Sequence, residues 1–412
     1  MSGYTIITGS SSEDVRFPLE AGAGSDAVHT NPIYAYAVCK LKTKAGWEGV
    51  GLAFTLGTGN DLVCRVIDHL AQKIEGREIN ELMSNFGTVW HSMAEDPNLR
   101  WLGPHKGVIH LALASVTNAC FDLWAKSRGV PLWKLLIDLS AEEIINTLDL
   151  SYLEDELSRE EAIAMIEKES AGVEERKMIL NSGYPGYDTS VGWFNYSDEK
   201  VRDNALRAMD AGFLAMKLKV GSNDMQRDIH RVELVRKTVG KDVDLMLDAN
   251  QQWSLPQAIS ICSVLKDISP LWIEEPTHPD DLLAHYRLAK EIHPIKLAMG
   301  EHLPNRVVFK NYLQSGCMGY NQVDALRVGG ISEFITISLL SRKFRIPVVP
   351  HVGDMGQIHQ HLVLFNHIVL GHEVVFLEHI PHLSSKFRNP VKIVDGCYQL
   401  PRSPGSSAAF LK

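Results

Sequence analysis

A repeated alternation of short apolar runs with longer amphipathic stretches dominates the chain from about residue 187 onward. Each run is continuous and ends in a charged or polar residue, which is typical of a strand buried on both faces of a parallel sheet. Strands and helices that alternate at these lengths predict βαβ units and a parallel sheet. The runs lie at residues 215–220, 243–250, 271–275, 296–301, 319–324, 346–351 and 374–378, and helical spacing is found at 224–239, 254–266, 279–292 and 332–344.

One polar residue at the end of each run marks a regular interval along the chain. These residues follow one another at steps of 23 to 29 positions, or one βα unit per step, which indicates an internal structural repeat. A closed barrel brings the carboxyl ends of its strands to one face, so the sequence predicts that these side chains meet in one pocket. Acidic residues also follow strands as helix caps, but that alternative explains one or two positions better than seven. The seven residues are Lys219, Asp248, Glu274, Glu301, Asp324, His351 and Glu378.

The chain divides into three predicted segments. Residues 1–148 are predicted to form an α+β capping domain, residues 149–383 the catalytic barrel, and residues 384–412 a loose tail, rich in proline and glycine, that returns toward the capping domain. The fold class is therefore predicted to be α/β, a TIM-like barrel with an N-terminal capping domain. In the capping domain we expect strands at 34–43 and 49–55 and helices at 62–73 and 107–127, and in the barrel segment a charged surface helix at 158–180.

Composition and charge exclude several classes of partner. The 412 residues are 45% hydrophobic and carry a net charge of −9, with acids and bases interspersed. Nucleic acid and anionic membranes require a concentrated basic surface instead. No apolar run approaches the ~18–20 residues of a membrane span, and the N-terminal residues have no signal or presequence layout. We therefore expect a cytoplasmic enzyme that acts on a small molecule, with neither nucleic acid nor a membrane as partner.

The six cysteines are widely scattered and include no CxxC pair. Disulfide scaffolds are short and dense in cysteine, and thiolate metal sites need clustered ligands. We therefore expect buried free thiols at Cys39, Cys64, Cys120, Cys262, Cys317 and Cys397.

Three of the strand-end residues are carboxylates on successive strands: Asp248, Glu274 and Glu301. Oxygen ligands without histidine or cysteine favour a hard cation, Mg²⁺ above all. Glu274 by itself is equally explained as a solvated charge at a strand end, but three carboxylates together are costly without a cation. Asn250 lies two residues past Asp248, on the same strand face, and is predicted to support the ligands.

Two further strand ends carry groups suited to proton transfer. Lys217 and Lys219 share one strand face, and like charge together with burial would lower a lysine pKa and make a general base. A surface strand with two lysines is the alternative, and the apolar residues around the pair oppose it. His351 and Asp324 end neighbouring strands, where an aspartate would fix the histidine tautomer and favour the imidazolium.

These residues together resemble the enolase superfamily over nearly the whole chain. The Lys-x-Lys at 217–219 and the pairing of His351 with Asp324 resemble the mandelate-racemase-like subgroup, whereas the muconate-lactonising subgroup would have lysine at the position of Asp324. The resemblance implies a (β/α)7β barrel, one Mg²⁺ per subunit, a homo-oligomer, and removal of a proton next to a carboxylate.

Longer stretches resemble the L-fuconate and L-galactonate dehydratases, which implies a sugar acid as substrate. Lys219 would then remove the 2-proton and Lys217 would neutralise the substrate carboxylate. His351, held by Asp324, would protonate the departing 3-hydroxyl, and His351 or Glu378 would assist the final tautomerisation to a 2-keto-3-deoxy acid. The matching stretches lie at residues 14–18, 24–27, 99–104, 106–112, 122–126, 272–277 and 305–307.

The shell around the substrate departs from the family pattern. Met299 stands where a small hydroxyl residue is usual, His302 follows a metal ligand, Ala325 replaces a cysteine, and Asp354 replaces a glycine near His351. Dehydration of a sugar acid is therefore a safer expectation than L-fuconate itself. The residues predicted to bind the substrate are Ser25, Asp26, Trp101, Asn250 and His302.

Three alternatives compete with this expectation, and the sequence argues against two of them. A racemase, epimerase or cycloisomerase on the same barrel would share the proton abstraction and differ only in its product. A non-catalytic binding protein would have lost some of the ligands or acid–base residues, and the sequence retains them all. An amidohydrolase would need His-x-His on the first strand, and residues 187–193 contain none.

Overall fold

The structure is a computed structural model that describes residues 5–411. Residues 1–4 of the predicted capping domain and residue 412 of the predicted tail lie outside the described residues.

The N-terminal part is an antiparallel three-stranded sheet covered by helices, in the order β1-β2-β3. The second and third strands lie where the sequence predicts them; β1 was not predicted, because its alternating polar residues face solvent at a sheet edge. The strands are β1 Ile7–Pro18, β2 Ile33–Thr43 and β3 Glu48–Thr55, and the helices are α1 Asn60–Ala71, α2 Ile79–Met83, α3 Phe86–Ala94, α4 Gly107–Ser127, α5 Leu132–Asp138 and α6 Ala141–Asn146.

Helix α4 packs directly on the sheet and forms the centre of this core. Gly51 of β3 allows the close approach, because a Cβ there would lie 1.9 Å from the carbonyl oxygen of Ser115. By length and composition α4 could span a membrane, but 89% of its apolar window is buried inside the protein. Its apolar residues are therefore explained by packing within the core.

The second part is a ring of short parallel strands alternating with helices, as the repeat predicts. Strands β4 to β9 pair in sequence order, and β10, the last strand of the ring, pairs in parallel with β4. The strands are β4 Tyr184–Gly192, β5 Ala215–Lys219, β6 Asp244–Asp248, β7 Trp272–Glu274, β8 Lys296–Met299, β9 Tyr320–Asn321 and β10 Leu377–His379. The helices are α7 Arg159–Glu169, α8 Val173–Arg176, α9 Ile179–Ser182, α10 Asp198–Asp210, α11 Met225–Val239, α12 Leu255–Leu265, α13 Leu282–Glu291, α14 Arg306–Ser315, α15 Ile331–Lys343 and α16 His359–Ile368.

The register of this ring positions the functional groups. Lys219 lies opposite Asp248 on the neighbouring strand, and Asp248 lies opposite Glu274 on the next. A separate apolar cluster that includes Tyr187 and Trp272 fills the interior. The charged side chains therefore lie together at the carboxyl ends of the strands.

Two predicted elements differ in the structure. The run at 346–351 makes only an isolated bridge, between Val348 and Asn321, because Pro347 and Pro350 have no N–H to donate to a ladder. The surface helix predicted at 158–180 is broken into α7, α8 and α9, with a 3-10 turn ending at Gly172 between the first two.

The prediction of a loose tail is wrong. Two short strands, β11 Ile393–Val394 and β12 Cys397–Tyr398, extend the barrel sheet, with β12 antiparallel to β4. Further along, Ser406 is buried and both its N–H and its hydroxyl donate to Asp122 of α4. The tail therefore packs against the capping domain through specific hydrogen bonds that local composition does not reveal. All six cysteines are free, as predicted. Five of them are also buried as predicted, but Cys397 is only half-buried.

Candidate active site

A small cavity lies where the carboxyl ends of the strands face the capping domain. Lys219, Glu301, His351 and Glu378 line it from the barrel. From the N-terminal part it is lined by Gly24, Asp26, Val28, His29, Tyr34, Phe54 and Leu56. Four of the seven strand-end residues therefore line one cavity, whereas Asp248, Glu274 and Asp324 do not line it and contact lysine or histidine side chains of the same strand-end group.

The floor of this cavity is a network of lysines and carboxylates. Lys219 Nζ lies 2.5 Å from Asp248 Oδ2. Lys217 Nζ lies 2.8 Å from both Glu274 Oε1 and Glu378 Oε1. Lys219 reaches the cavity, whereas Lys217 is only 1% exposed and is surrounded by these carboxylates. Lys217 therefore holds the carboxylates in place here, and the structure does not bring it to the cavity as a partner for a substrate carboxylate.

The expected lowering of the lysine pKa is not found. Burial does oppose the charge of Lys219, but the carboxylate of Asp248 outweighs it and raises the pKa above the ordinary lysine value. Burial likewise opposes the charge of Lys217, but Glu274 and Glu378 outweigh it and raise the pKa of Lys217 above the ordinary lysine value. For Lys219, the like charge of Lys217 is a smaller effect than the ion pair with Asp248, whose Oδ2 lies 2.5 Å from Lys219 Nζ.

Three carboxylates at this floor, Asp248, Glu274 and Glu301, form a candidate metal site. One oxygen from each lies within 4.8 Å of the others. Burial and the charge of Asp248 raise the pKa of Glu274 to about 8, which reflects the cost of crowding carboxylates in a dry site. An all-oxygen donor set of this kind fits a hard divalent cation such as Mg²⁺. A second group of possible ligands, Glu275, Glu301 and His302, shares one member with the first.

Asp324 and His351 form the predicted dyad. Asp324 Oδ2 lies 2.7 Å from His351 Nδ1, and His351 Nε2 lies 3.6 Å from Glu301 Oε1. Burial opposes charge on the imidazole, but Glu301 and Asp324 raise the pKa of His351 to about 9. The histidine is therefore protonated near neutral pH and can act as an acid toward a group in the cavity.

The predicted substrate contacts are only partly placed at the cavity. Asp26, Asn250 and His302 line it. Ser25 is instead fully buried, donating to the carbonyl of Gly22 and accepting from the N–H of Asn195, and does not line the cavity. It ties the capping loop to the barrel.

The assignment of Trp101 to the substrate shell is wrong. Trp101 lies in a short 3-10 helix, is 98% exposed, and is not among the residues that line the cavity. An aromatic residue in a loop is an ambiguous signal, because the same composition serves a surface turn or a pocket wall.

Sequence reasoning missed two cavity residues and one residue behind the cavity. Thr189 and Arg327 line the cavity, and Thr189 donates to Glu378 at 2.6 Å. Glu275 does not line it, but accepts from the cavity residue His302 at Nδ1, at 2.7 Å. Only Glu275 had a positional signal, because it directly follows the strand-end residue Glu274.

The fold and the site together define a class: a parallel (β/α) barrel with an N-terminal capping domain and an acidic metal site, a lysine and a His–Asp dyad at the strand ends. Two family profiles match the chain. Residues 14–136 match the mandelate racemase / muconate lactonizing enzyme N-terminal domain, and residues 200–410 match the enolase C-terminal domain-like family. The chain belongs to the mandelate racemase subgroup of the enolase superfamily.

Individual relatives agree with this assignment. L-galactonate dehydratase of Hypocrea jecorina is 39% identical over 416 residues, covering 99% of this chain and 92% of that protein. Mitochondrial enolase superfamily member 1 of Homo sapiens is 39% identical over 404 residues, covering 96% and 91%. The crystal structure of the latter superposes with a TM-score of 0.96 at 38% identity, over 100% of this chain and 95% of that chain. L-talarate dehydratase from Polaromonas sp. JS666, solved with Mg and L-glucarate, has the same fold, with a TM-score of 0.72 at 24% identity over 98% and 95%.

Proposed function

We propose that the protein is a Mg²⁺-dependent dehydratase of a sugar acid. It removes the proton at C2, next to the substrate carboxylate, and eliminates the 3-hydroxyl as water to give a 2-keto-3-deoxy acid. The observation that carries the proposal is that Lys219 and His351 line one cavity, each beside a carboxylate of the candidate metal site.

Asp248, Glu274 and Glu301 would hold the cation. When bound, it supplies positive charge next to the substrate carboxylate, which makes the neighbouring C–H more acidic. The burial of Asp248 and Glu274, both 0% exposed, keeps water from screening that charge.

Lys219 is the proposed base because it is the lysine that reaches the cavity. Its high pKa comes mainly from Asp248, a carboxylate that it shares with the candidate metal site. Engagement of Asp248 at that site would remove much of the charge that keeps Lys219 protonated. Once its own proton has passed to solvent, the neutral Lys219 Nζ accepts the C2 proton, and the electron pair of the C–H bond forms the C2–C3 double bond as the C3–O bond breaks.

His351 is the proposed acid, since it lines the cavity and Asp324, 2.7 Å from its Nδ1, favours the protonated ring. It donates the Nε2 proton to the 3-hydroxyl as the C3–O bond breaks, and water leaves. Asp324, on the Nδ1 side, fixes the ring and stabilises the charge before transfer. The enol becomes the ketone when a proton is returned to C3, with His351 or Glu378 assisting.

The relatives support a monocarboxylic sugar acid as the first substrate class to test. One of them, the Hypocrea jecorina protein, bears the name L-galactonate dehydratase. The stretches noted in the sequence also resemble L-fuconate dehydratases, so L-fuconate and L-galactonate are the leading candidates.

A screen of sugar acids tests this function directly. Purified protein is incubated with L-fuconate, L-galactonate and their epimers, with Mg²⁺ or with EDTA, and 2-keto-3-deoxy products are measured. We expect Mg²⁺-dependent formation of a keto-deoxy acid from at least one substrate. Epimerised or lactonised products without loss of water would instead assign a racemase or cycloisomerase, and the dehydratase proposal would be rejected.

A further inference from the structure

A second pair of a histidine and a carboxylate lies directly behind the dyad. His359 Nδ1 is 2.7 Å from Asp354 Oδ1. On its other side His359 Nε2 accepts a hydrogen bond from the N–H of Ala325 at 3.0 Å and lies 3.3 Å from Asp324 Oδ1. Asp324, Asp354 and His359 are all 0% exposed. The three side chains and the peptide that follows Asp324 therefore form one buried chain of contacts.

Asp354 is rigidly held at the far end of this chain. Its carboxylate accepts from the main-chain N–H groups of Gly356 at 2.9 Å, of Ile358, and of His359 at 3.2 Å, at the start of α16. Because the carboxylate can only accept, it requires a proton on His359 Nδ1. On the other side of the ring, Nε2 faces both the N–H of Ala325 and the carboxylate Oδ1 of Asp324, so the imidazole is held from both sides.

The placement of Asp324 determines that of His351. Its Oδ2 serves both His351 Nδ1 at 2.7 Å and the N–H of Gly353 at 2.9 Å. Its Oδ1 accepts from the N–H of Leu326 at 2.7 Å, two residues along the same segment. A shift of the peptide between Asp324 and Leu326 would move both oxygens, and the imidazole of His351 with them.

His359 brings together two positions that are far apart in the chain. Ala325 and Asp354 are 29 positions apart, and they contact opposite sides of the His359 ring. The contacts therefore form one structural unit next to the dyad.

We propose that Asp354 and His359 are positioning residues that hold Asp324, and through it His351, in the geometry of the acid step. Neither residue reaches the cavity, so they act on the reaction only through the dyad. The inference rests on the proposed function in one respect, namely that His351 is the acid of a dehydration.

The chain offers a matched control on the same helix. His361 lies two residues after His359, is also 0% exposed, and its Nδ1 accepts from the N–H of Trp133 at 3.1 Å. It shares the burial and main-chain hydrogen bonding of His359, and its hydrogen bonds go to Trp133 and Ser407. Substitution of His361 therefore reports the cost of losing a buried histidine from α16.

The first test separates proton abstraction from elimination in D₂O. In His359→Leu we expect dehydration to fall about 10- to 100-fold, because supporting residues that orient a reacting group commonly have effects of this size. Exchange of the 2-proton, which needs only Lys219, should fall less than about threefold. His359→Gln should recover part of the dehydration rate, and His361→Leu should leave the ratio of the two rates unchanged. Equal losses of exchange and dehydration in His359→Leu would overturn the proposal.

The second test does not depend on activity or on the folding of His359→Leu. In protein labelled with ¹⁵N-histidine, the Nδ1–H proton of His351 is followed by NMR in the wild type, in Asp354→Asn and in His361→Leu. Asp354→Asn should shift this resonance, and His361→Leu should not. An unchanged resonance in Asp354→Asn would overturn the positioning role. If that resonance shifts but no sugar acid is dehydrated, the proposed function fails and the positioning role stands.

Discussion

The floor of the cavity and the loops that cover it are built in different ways. The floor groups project from strand ends in a fixed register, so that Lys219, Asp248 and Glu274 lie side by side on three adjacent strands. The cover is a loop outside any strand: Asp26 accepts from the N–H groups of Val28 and His29 within the loop, and Ser25 accepts from the N–H of Asn195 in the barrel.

This difference divides the chemistry from the choice of substrate. The floor carries the charges that any α-proton abstraction needs, and the barrel geometry holds them in place. The capping loop contributes side chains that touch the remainder of the cavity and can vary without disturbing the barrel. We therefore expect floor substitutions to abolish turnover of every substrate and loop substitutions to change the ranking of substrates.

The largest effect is expected from the candidate metal site. Glu274→Gln removes one carboxylate without changing its size, and we expect turnover to fall by on the order of 10³-fold. Mg²⁺ affinity, measured by calorimetry, should fall in parallel. Glu275→Gln is the matched control, because Glu275 bonds to His302 and belongs only to the alternative ligand group. If Glu275→Gln lost Mg²⁺ binding while Glu274→Gln kept it, the cation would lie in the alternative group.

The junction between the barrel and the capping domain should show the next largest effect. Glu333 of the barrel lies 2.6 Å from His110 of α4 and 3.1 Å from Arg306, and all three side chains are buried. Glu333→Gln removes the carboxylate beside His110 and leaves Arg306 with Asp149 alone, and should lower the free energy of unfolding by about 3–5 kcal/mol. Asp138→Asn, which breaks an exposed pair with Lys134, should cost under about 1 kcal/mol. Equal thermal unfolding midpoints for the two variants would contradict this account.

The same junction makes stability depend on pH. Burial favours the neutral form of Glu333, but His110 and Arg306 outweigh it and hold its pKa well below its usual range. A carboxyl whose folded pKa is lowered contributes stability above its unfolded pKa of about 4.3 and loses it as pH falls. Between pH 6 and pH 3 the wild type should therefore lose more stability than Glu333→Gln. Parallel pH profiles from urea titrations would exclude this contribution.

The capping loop should show a smaller and selective effect. Burial opposes the charge of Asp26, but hydrogen bonds from His29 keep its pKa below the usual range, so it is ionised at neutral pH. Asp26→Asn keeps an oxygen for the loop hydrogen bonds and removes the charge. We expect the ratio of kcat/KM between two sugar acids to change about tenfold, the value of one hydrogen bond to a charged group. A uniform loss for all substrates would place Asp26 with the floor chemistry instead.

The smallest effect is expected at Trp101. Because its side chain is 98% exposed and does not line the cavity, Trp101→Ala should change kcat/KM less than about twofold for any sugar acid. A larger change in steady-state kinetics would return this residue to the substrate shell.

The same comparison explains what the sequence could predict. Lys219, Asp248, Glu274 and Glu301 were predictable because each ends an apolar run, and the repeat spacing fixes which face it joins. Ser25 and Trp101 were misplaced because a loop has no such period; its conformation depends on tertiary contacts such as the hydrogen bond from Asn195 to Ser25.

Two other misses have the same physical origin. The order of the C-terminal tail depends on Asp122, which is 284 positions before Ser406 in the chain. The direction of the lysine pKa shifts depends on which carboxylates lie against each ammonium group. A neighbouring lysine lowers a lysine pKa and a carboxylate raises it, and only the structure shows the ion pairs of Lys217 with Glu274 and of Lys219 with Asp248.

In the proposed reaction Lys219 removes the 2-proton and His351 expels the 3-hydroxyl. Measurement of ²H incorporation at C2 and of keto-acid formation in D₂O, for the wild type, Lys219→Ala and His351→Asn, separates these two roles. We expect Lys219→Ala to lose both reactions by about 10²- to 10⁴-fold. We expect His351→Asn to lose keto-acid formation while retaining ²H exchange. Dehydration by Lys219→Ala at near the wild-type rate would rule out Lys219 as the base, whatever the behaviour of the metal site.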